Sequence, residues 1–381
     1  MSRYRKSGII KRRVRRLKDK LKQLHALLVS SFLLNDDELM LIIMMEIDAI
    51  QHQLQGASLY MITRPLVVHG PRGLDSLINR FGPLLFNHIR FTKEEVVFMA
   101  RKFLPARIEL SAKHGNVSSV DAMAVTLYRL ANHCTLVQAE AAVGYPDHIQ
   151  SEMINVTVLI ISEVGFHALE NPMWLTGGKL LMYNQKILTK GSPLDSIVGF
   201  IDGTHRHVAR SGRMQQALYN GYLHAHSIAF IAVCFPDGSF MMRGPIAGAT
   251  NDLAVLNETG MRNFLEGKLF TFSVLGDSIF NNKEPIVSIR DMCDNPEVSK
   301  ALSHVRIVVE WLFGEIVNTF EYLHYTPNMK VLCNNPGCVY RTAAVFHMCR
   351  TIFYGSKIAG YFACPPPTFD EIFFKKPICS A

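Results

Sequence analysis

Three acidic residues stand where a fold could bring them together for chemistry at a metal. Asp202 follows an apolar run that ends at Ile201, and Asp277 follows a second apolar run and Gly276. The carboxyl ends of strands in an open α/β sheet meet at the crevice where ligands bind, so both side chains can converge there. Taken singly, each acid is also explained as an ordinary cap of a strand or a turn.

The third acid, Glu310, lies in an apolar helical segment. It falls one residue off the apolar stripe of 307–313, so we expect its carboxylate at the boundary of the buried face, where an unpaired charge is costly. The plain alternative is an ion pair with Arg306, four residues earlier, which stabilises a helix by only a few tenths of a kcal/mol. That pair explains Glu310 but leaves Asp202 and Asp277 unconnected.

Three carboxylates in one place repel each other. At 4 Å and an effective dielectric constant near 20, each pair costs about 4 kcal/mol. A divalent cation removes the repulsion, and hard oxygen ligands without cysteine favour Mg²⁺ or Mn²⁺ over zinc. If the fold joins Asp202, Asp277 and Glu310, the three predict a magnesium or manganese site.

The elements that must position these acids are strands followed by a long helix. Apolar runs predict strands over 196–201 and 272–275, and a hairpin around the turn at 236–238. Apolar residues then recur at steps of three and four over 298–320, which predicts one long helix. Strands followed by a helix of this length favour an α/β architecture.

Upstream of the strands, the sequence predicts three helices. Ser118 and Thr135 each have the spacing of a capping box, and Gly144 ends the short middle helix. Asp147 has the same spacing and is expected to open the third helix. This layout is typical of a helix-turn-helix, whose last helix can enter a DNA groove. The alternative is a helical support for the next domain, which the scarcity of Lys and Arg on the third helix favours.

Composition and charge indicate a globular protein with a basic arm. The chain has 381 residues, of which 49% are hydrophobic, enough for two or three domains with a sizeable core. Residues 1–22 carry eleven basic residues and one acid, a net charge of +10, so the other 359 residues carry −2 of the total of +8. The arm is explained as a nuclear import signal, a phosphate-binding arm or an Arg-rich transit peptide, and we expect a nuclear location.

Cysteine usage and hydropathy exclude other classes. Eight cysteines at irregular spacing, without a secretory signal pattern, do not describe a disulfide scaffold. The apolar run 39–45 is far shorter than the roughly 20 residues that cross a bilayer, so no membrane partner is expected. A zinc site is conceivable at the C-terminal end, but a simple turn explains the spacing better; the residues concerned are Cys333, Cys338, His347 and Cys349.

Six motifs then occur in a familiar order. They are IDGTH at 201–205, YNGY at 219–222, PDG at 236–238, GPIAGATND at 244–252, LGDSIF at 275–280 and VRIVVEWLFGEI at 305–316. In this order they resemble the DDE nuclease domain of PIF/Harbinger transposases, and the helical stretch before them resembles the segment that precedes that domain. The resemblance implies a ribonuclease-H-like fold and gives Asp202, Asp277 and Glu310 the three acidic positions of the family.

The resemblance also implies the chemistry and the partners. The three acids would hold two Mg²⁺ or Mn²⁺ ions that clamp the attacking and leaving oxygens of a phosphodiester, so that transposon ends are cut and the freed 3′-hydroxyl is transferred to target DNA. The implied partners are double-stranded DNA, in the form of terminal repeats and target, a separate Myb-like DNA-binding protein, and further copies of this chain.

Two more residues are candidates for the surroundings of the metal site. Asp252 precedes a helical run and is explained as its N-cap, whereas the family motif that includes it favours a role beside the metal ligands. His205 has with His207 the spacing of a metal pair, but imidazole favours zinc over magnesium. Polar side chains that line a cleft are therefore the better interpretation of this pair.

The predicted organisation is an α/β ribonuclease-H-like nuclease domain preceded by an all-helical N-terminal domain. Its parts are a basic tail (1–24), a helical region (25–90), a helix-turn-helix-like domain (91–170), the catalytic domain (190–355) and a C-terminal extension (356–381). Two other functions stay open. One is a domesticated, transposase-derived nuclear protein that binds DNA or a partner without transposing, which has no need of three clustered acids. The other is a metal-dependent hydrolase of small phosphoesters, for which the long helical half is excessive.

Overall fold

The structure is a computed structural model that describes residues 19–20, 22–24, 43–47, 50, 70–111, 114–280, 283–288 and 296–374. Most of the basic tail (1–24) and most of the helical region predicted over 25–90 lie outside these residues. The description that follows concerns the described part of the chain.

The strands form a two-stranded hairpin and one six-stranded sheet. They are β1 (Arg107–Glu109), β2 (Asn116–Ser118), β3 (Ile197–His207), β4 (Tyr219–Asn220), β5 (Ala225–Cys234), β6 (Phe240–Ala247), β7 (Ser273–Gly276) and β8 (Ile286–Ser288). In the large sheet β3 is central, antiparallel to β5 and parallel to β7, which is in turn parallel to β8. Strands β4 and β6 share the other edge of β5. This mixed order is consistent with the ribonuclease-H-like fold that the resemblance implied.

Helices surround this sheet and, together with the β1–β2 hairpin, build the described N-terminal part, so the expectation of an all-helical N-terminal domain is wrong. They are α1 (Gly73–Phe81), α2 (Leu85–Ile89), α3 (Lys93–Phe103), α4 (Ser119–Ala131), α5 (Leu136–Val143), α6 (Asp147–Val164), α7 (His167–Glu170), α8 (Gly177–Thr189), α9 (Gln215–Leu218), α10 (Asp252–Glu258), α11 (Met261–Leu269), α12 (Pro296–Arg306), α13 (Val308–Thr319), α14 (Val331–Asn334), α15 (Pro336–Tyr354), α16 (Lys357–Phe362) and α17 (Phe369–Phe373). Helices α8 and α13 both pack on β3, which explains why its first half is apolar and fully buried.

Strand β3 is longer than the sequence predicted. The apolar run ends at Ile201, but the strand continues to His207 because its backbone stays paired with β5 over that whole length. Asp202 pairs with Ala232 in this register. The expectation that Asp202 follows the end of its strand is therefore wrong: it lies in the middle of β3.

The three predicted helices of the N-terminal half are present as α4, α5 and α6. Ser118 caps α4, and Thr135 forms the expected capping box at the start of α5, which ends at Gly144. Asp147 is not a cap, because Pro146 holds the N-cap position of α6 and Asp147 is its first helical residue.

Helix α6 is part of the one stretch in the described chain, Asp147–Glu170, that is long and apolar enough to cross a membrane. The sequence pattern missed it because uncharged polar residues interrupt its apolar runs. The helix packs against α4 and α15 inside the fold, which is the position of a core helix.

The long helix predicted over 298–320 is two helices. An interruption at Ile307 separates α12 from α13, although Trp311 N still donates to Ile307 O across it. The apolar face of α13 packs on β3 and β5, as the spacing indicated. The interruption places Arg306 at the end of one helix and Glu310 in the first turn of the next.

Candidate active site

Strands β3 and β7 bring two of the predicted acids to one place. Their parallel register pairs Phe200 with Leu275, and two residues further along the two chains are Asp202 and Asp277. The loop after β7 fixes Asp277 at both ends: its Oδ1 accepts from Ser278 N at 2.6 Å, and its carbonyl oxygen accepts from Ser288 Oγ at 3.2 Å. The two side chains are half-buried.

Asp202 is the acid whose electrostatic environment is most unusual. Its Oδ1 accepts from Gly203 N at 2.9 Å, and its Oδ2 accepts from Arg306 Nη1 at 3.2 Å. Burial raises the pKa of Asp202 to about 6 although Arg306 and the Gly203 N–H lower it; the negative charges of Asp252 and Asp277 raise it further. The negative charges of two neighbouring aspartates therefore act on Asp202 at this point of the sheet.

Asp252 lies directly against β3. An added Cβ at Gly203 would lie 2.2 Å from Asp252 Oδ1, so only glycine leaves room for this carboxylate. The same Oδ1 is buried and has no hydrogen-bond partner within the described residues. The N-cap explanation is wrong, because Asn251 caps α10 through its Oδ1, which accepts from Ala254 N at 2.9 Å. The cap frees Asp252 to face the other acids.

Glu310 reaches the cluster through an arginine. Its side chain is 56% exposed, not at the boundary of the buried face as predicted, because it points out from the first turn of α13. The ion pair with Arg306, given above as the alternative explanation of Glu310, is present at 3.2 Å. Sequence reasoning missed that the same guanidinium also binds Asp202, so that Arg306 bridges two of the three predicted ligands.

His205 lies beside Asp252. Its Nε2 is 3.6 Å from Asp252 Oδ1, while its Nδ1 lies 3.3 Å from Ser227 Oγ and 3.5 Å from Asn220 Nδ2. The ring is thus held between β5 and the aspartate. His207, at the end of β3, is exposed.

The chemistry of these groups fits a hard divalent cation. Every donor is a carboxylate oxygen, Asp252 Oδ1 lacks a hydrogen-bond partner among the described residues, and the charges of Asp252 and Asp277 raise the pKa of Asp202. As the side chains stand, no three acidic, histidine or cysteine side chains in the described chain are placed to share an ion. Between Asp202 and Glu310, the positive charge is supplied by Arg306.

The conceivable zinc cluster at the C-terminal end is replaced by a buried histidine with an acidic neighbour. His347 Nε2 lies 3.6 Å from Glu315 Oε2 inside α15 and α13. Burial lowers the pKa of His347 to about 3 and raises that of Glu315. No group of three His, Cys, Asp or Glu side chains among the described residues is placed to hold a metal ion there. The side chain of Cys333 lies outside what the structure describes.

Comparison with known proteins bears on the same region. Residues 201–349 match the model of a family described as DDE superfamily endonuclease. No curated protein and no solved structure matches the chain. The match includes Asp202, Asp277 and Glu310 and supports a DDE transposase-like nuclease, an enzyme class that acts on DNA; the narrower PIF/Harbinger subtype stays a prediction.

Proposed function

We propose that this protein is a metal-dependent DNA endonuclease of the PIF/Harbinger transposase type, which cuts transposon ends and transfers the freed 3′-hydroxyl to target DNA. The observation that carries the proposal is geometric: Asp202 and Asp277 lie at one level of the paired strands β3 and β7, and Asp252 lies against Gly203 of β3, within the residues that match the endonuclease family. An isolated acidic cluster of this kind is costly unless it has a cationic ligand.

The residues that would hold the cation are Asp202, Asp277 and Glu310. A pair of Mg²⁺ or Mn²⁺ ions supplies Lewis-acid stabilisation of the attacking and leaving oxygens of a phosphodiester. At neutral pH Asp202, with a pKa near 6, is ionised and able to act as a ligand. Asp252 adds negative charge beside the site, and His205 Nε2 lies 3.6 Å from that carboxylate.

The three acids are held in place by different contacts. Asp202 is fixed by two strands that pair with β3, and Asp277 by the hydrogen bonds of its loop. Glu310 lies on a helix, is 56% exposed, and is held by its ion pair with Arg306. That ion pair would have to open before Glu310 could turn toward a cation held by the two aspartates.

The other parts of the proposal are its location and partners. The basic segment before residue 23 supports a nuclear location, and the near-neutral remainder supports recognition of transposon ends shared with a Myb-like protein. Action on two ends supports a multimer. A domesticated protein without transposition is the outcome in which the chain binds DNA but cleaves none.

The test is cleavage by the full chain of a plasmid that carries the terminal repeats flanking its own gene, with Mg²⁺ or Mn²⁺ and with EDTA. Asp202→Asn, Asp277→Asn and Glu310→Gln are each expected to lower the rate more than about 100-fold, because loss of groups that merely orient metal ligands already costs 10–100-fold. Asp195→Asn, an exposed acid just before β3, is the matched control and should cleave normally. Cleavage retained in any of the three acid variants contradicts the assignment.

A further inference from the structure

Arg306 occupies an unusual position for a surface arginine. Its side chain is only 15% exposed, and its two terminal nitrogens contact different acids: Nη1 lies 3.2 Å from Asp202 Oδ2 and Nη2 lies 3.2 Å from Glu310 Oε1. The first acid is 104 residues away in the sequence and the second is four. One guanidinium therefore links the central strand to α13.

This arrangement and a bound divalent cation compete for the same carboxylate. A cation that uses Asp202 Oδ2 would lie about 2.1 Å from it, on the oxygen that now accepts from Arg306. An arginine in a protein cannot lose its proton, so such a cation would repel the guanidinium, and movement of the side chain would relieve that repulsion. We therefore expect metal loading to weaken both ion pairs.

The surroundings of Arg306 leave space on the solvent side for its side chain to move into. Glu310 is more than half exposed, and Ile307, at the interruption between α12 and α13, is 42% exposed. The outer side of the bridge therefore faces solvent, while its inner side faces the aspartates. The guanidinium can turn outward without disturbing the buried face of α13, which packs on the sheet.

We propose that Arg306 is a resident counterion that closes the carboxylate site in the metal-free protein and swings out when a divalent cation binds. The inference rests on the proposed function, since it takes Asp202 and Glu310 as the ligands. Arg306 compensates the acids while no metal is present and competes with the metal for them. Its role is to set the metal concentration at which the enzyme becomes loaded.

The first test measures Mn²⁺ affinity of the full chain by electron paramagnetic resonance of the free ion. Arg306→Gln should bind Mn²⁺ at least about tenfold more tightly than the wild type, because the competitor is gone. Lys300→Gln removes the same charge from an exposed position on the same helix and should change the affinity less than twofold. Equal or weaker binding by a folded Arg306→Gln protein overturns the inference.

A second measurement uses the wild type and does not depend on the folding of a variant. Phenylglyoxal modifies accessible arginines, and mass spectrometry reports the modified positions. Arg306 should be protected in EDTA and should react at least several-fold faster with saturating Mn²⁺, whereas exposed Arg210 should react equally in both conditions. An unchanged Arg306 rate under saturating Mn²⁺ overturns the inference.

The two tests also separate this inference from the function on which it rests. If neither the wild type nor Arg306→Gln binds Mn²⁺, the metal site and the inference both fail. If Asp202→Asn abolishes Mn²⁺ binding while Arg306→Gln leaves it unaltered, the site stands and the inference alone is overturned.

Discussion

Two aspartates on the same sheet, Asp237 and Asp202, show what separates a structural acid from a candidate functional one. Asp237, in the turn between β5 and β6, is only 1% exposed, yet its oxygens are fully engaged. One accepts from Tyr183 at 2.6 Å and from Lys179 at 2.9 Å, and the other accepts from Ser239 N at 2.9 Å. Lys179 also binds Glu371, which ties α17 to the sheet.

Asp202 is less buried, with 19% of its side chain exposed, but it is far less well compensated. Its neighbours include two further aspartates, and its pKa is raised to about 6. The comparison teaches that burial alone does not identify a functional acid. A better criterion is a group of acids close together with too few cations or hydrogen-bond donors to compensate them. A structural acid is normally satisfied by its hydrogen bonds.

The largest effect is expected from a substitution of Asp237, the structural acid of the two. Asp237→Ala leaves Lys179 and Tyr183 without their main partner, and removal of one side of a buried pair costs about 3–5 kcal/mol. We expect urea denaturation to show this loss, and the Mn²⁺ affinity of the folded protein to stay within twofold of the wild type. A large loss of Mn²⁺ affinity in folded Asp237→Ala would erase the distinction between the two acids.

The second prediction concerns Asp202 in the metal-free protein. Its folded-state pKa, about 6, lies above the usual value of 3.8, so the folded state favours the protonated form. Stability from this group is present below about pH 4 and is lost as the pH rises through 6, by up to roughly 3 kcal/mol.

The measurement is urea denaturation in EDTA at pH 4 and pH 7, for the wild type and Asp202→Asn. Between pH 4 and pH 7 the unfolding free energy of the wild type should fall by roughly 2–2.5 kcal/mol relative to that of Asp202→Asn, which has no such group to ionise. Identical pH dependence in the two proteins would show that the pKa of Asp202 is not raised in the folded protein.

The smallest expected effect sharpens the comparison at the point where β3 meets Asp252. Gly203→Ala pushes a methyl group into that carboxylate and should destabilise the protein by about 1–3 kcal/mol, as overpacking does, and also weaken Mn²⁺ binding. Gly212→Ala, where an added Cβ meets nothing within 4 Å, is the matched control and should change stability by less than about 0.5 kcal/mol. Equal effects of the two substitutions would mean that the close contact between Gly203 and the Asp252 carboxylate matters neither for stability nor for Mn²⁺ binding.

Local patterns predicted the elements better than they predicted their limits. Capping residues such as Ser118 and Thr135 were recognisable because their hydrogen bonds close within three residues. The end of β3 was not recognisable. Polar residues after Ile201 interrupt the apolar run, but the backbone stays extended because it pairs with β5, which no local pattern reveals. Asp252 was taken for a cap because Asn251 beside it has the same capability.

The candidate site divides in the same way. Asp202 and Asp277 were found because each follows an apolar strand core, and the parallel register of β3 and β7 brings them to the same level. The outward position of Glu310 and the contact of Arg306 with Asp202 could not be predicted, because both depend on how α12 and α13 meet the sheet. Helical spacing reveals a partner four residues away, not one that is 104 residues away.

The most direct test of the central claim is X-ray diffraction from crystals of the full chain grown with Mn²⁺, with anomalous data that locate the ion. We expect an anomalous peak within coordination distance of carboxylate oxygens of Asp202, Asp277 and Glu310, with Arg306 turned away from both acids. A saturating Mn²⁺ concentration that yields no peak there, or a peak elsewhere while Arg306 still bridges Asp202 and Glu310, would contradict the account.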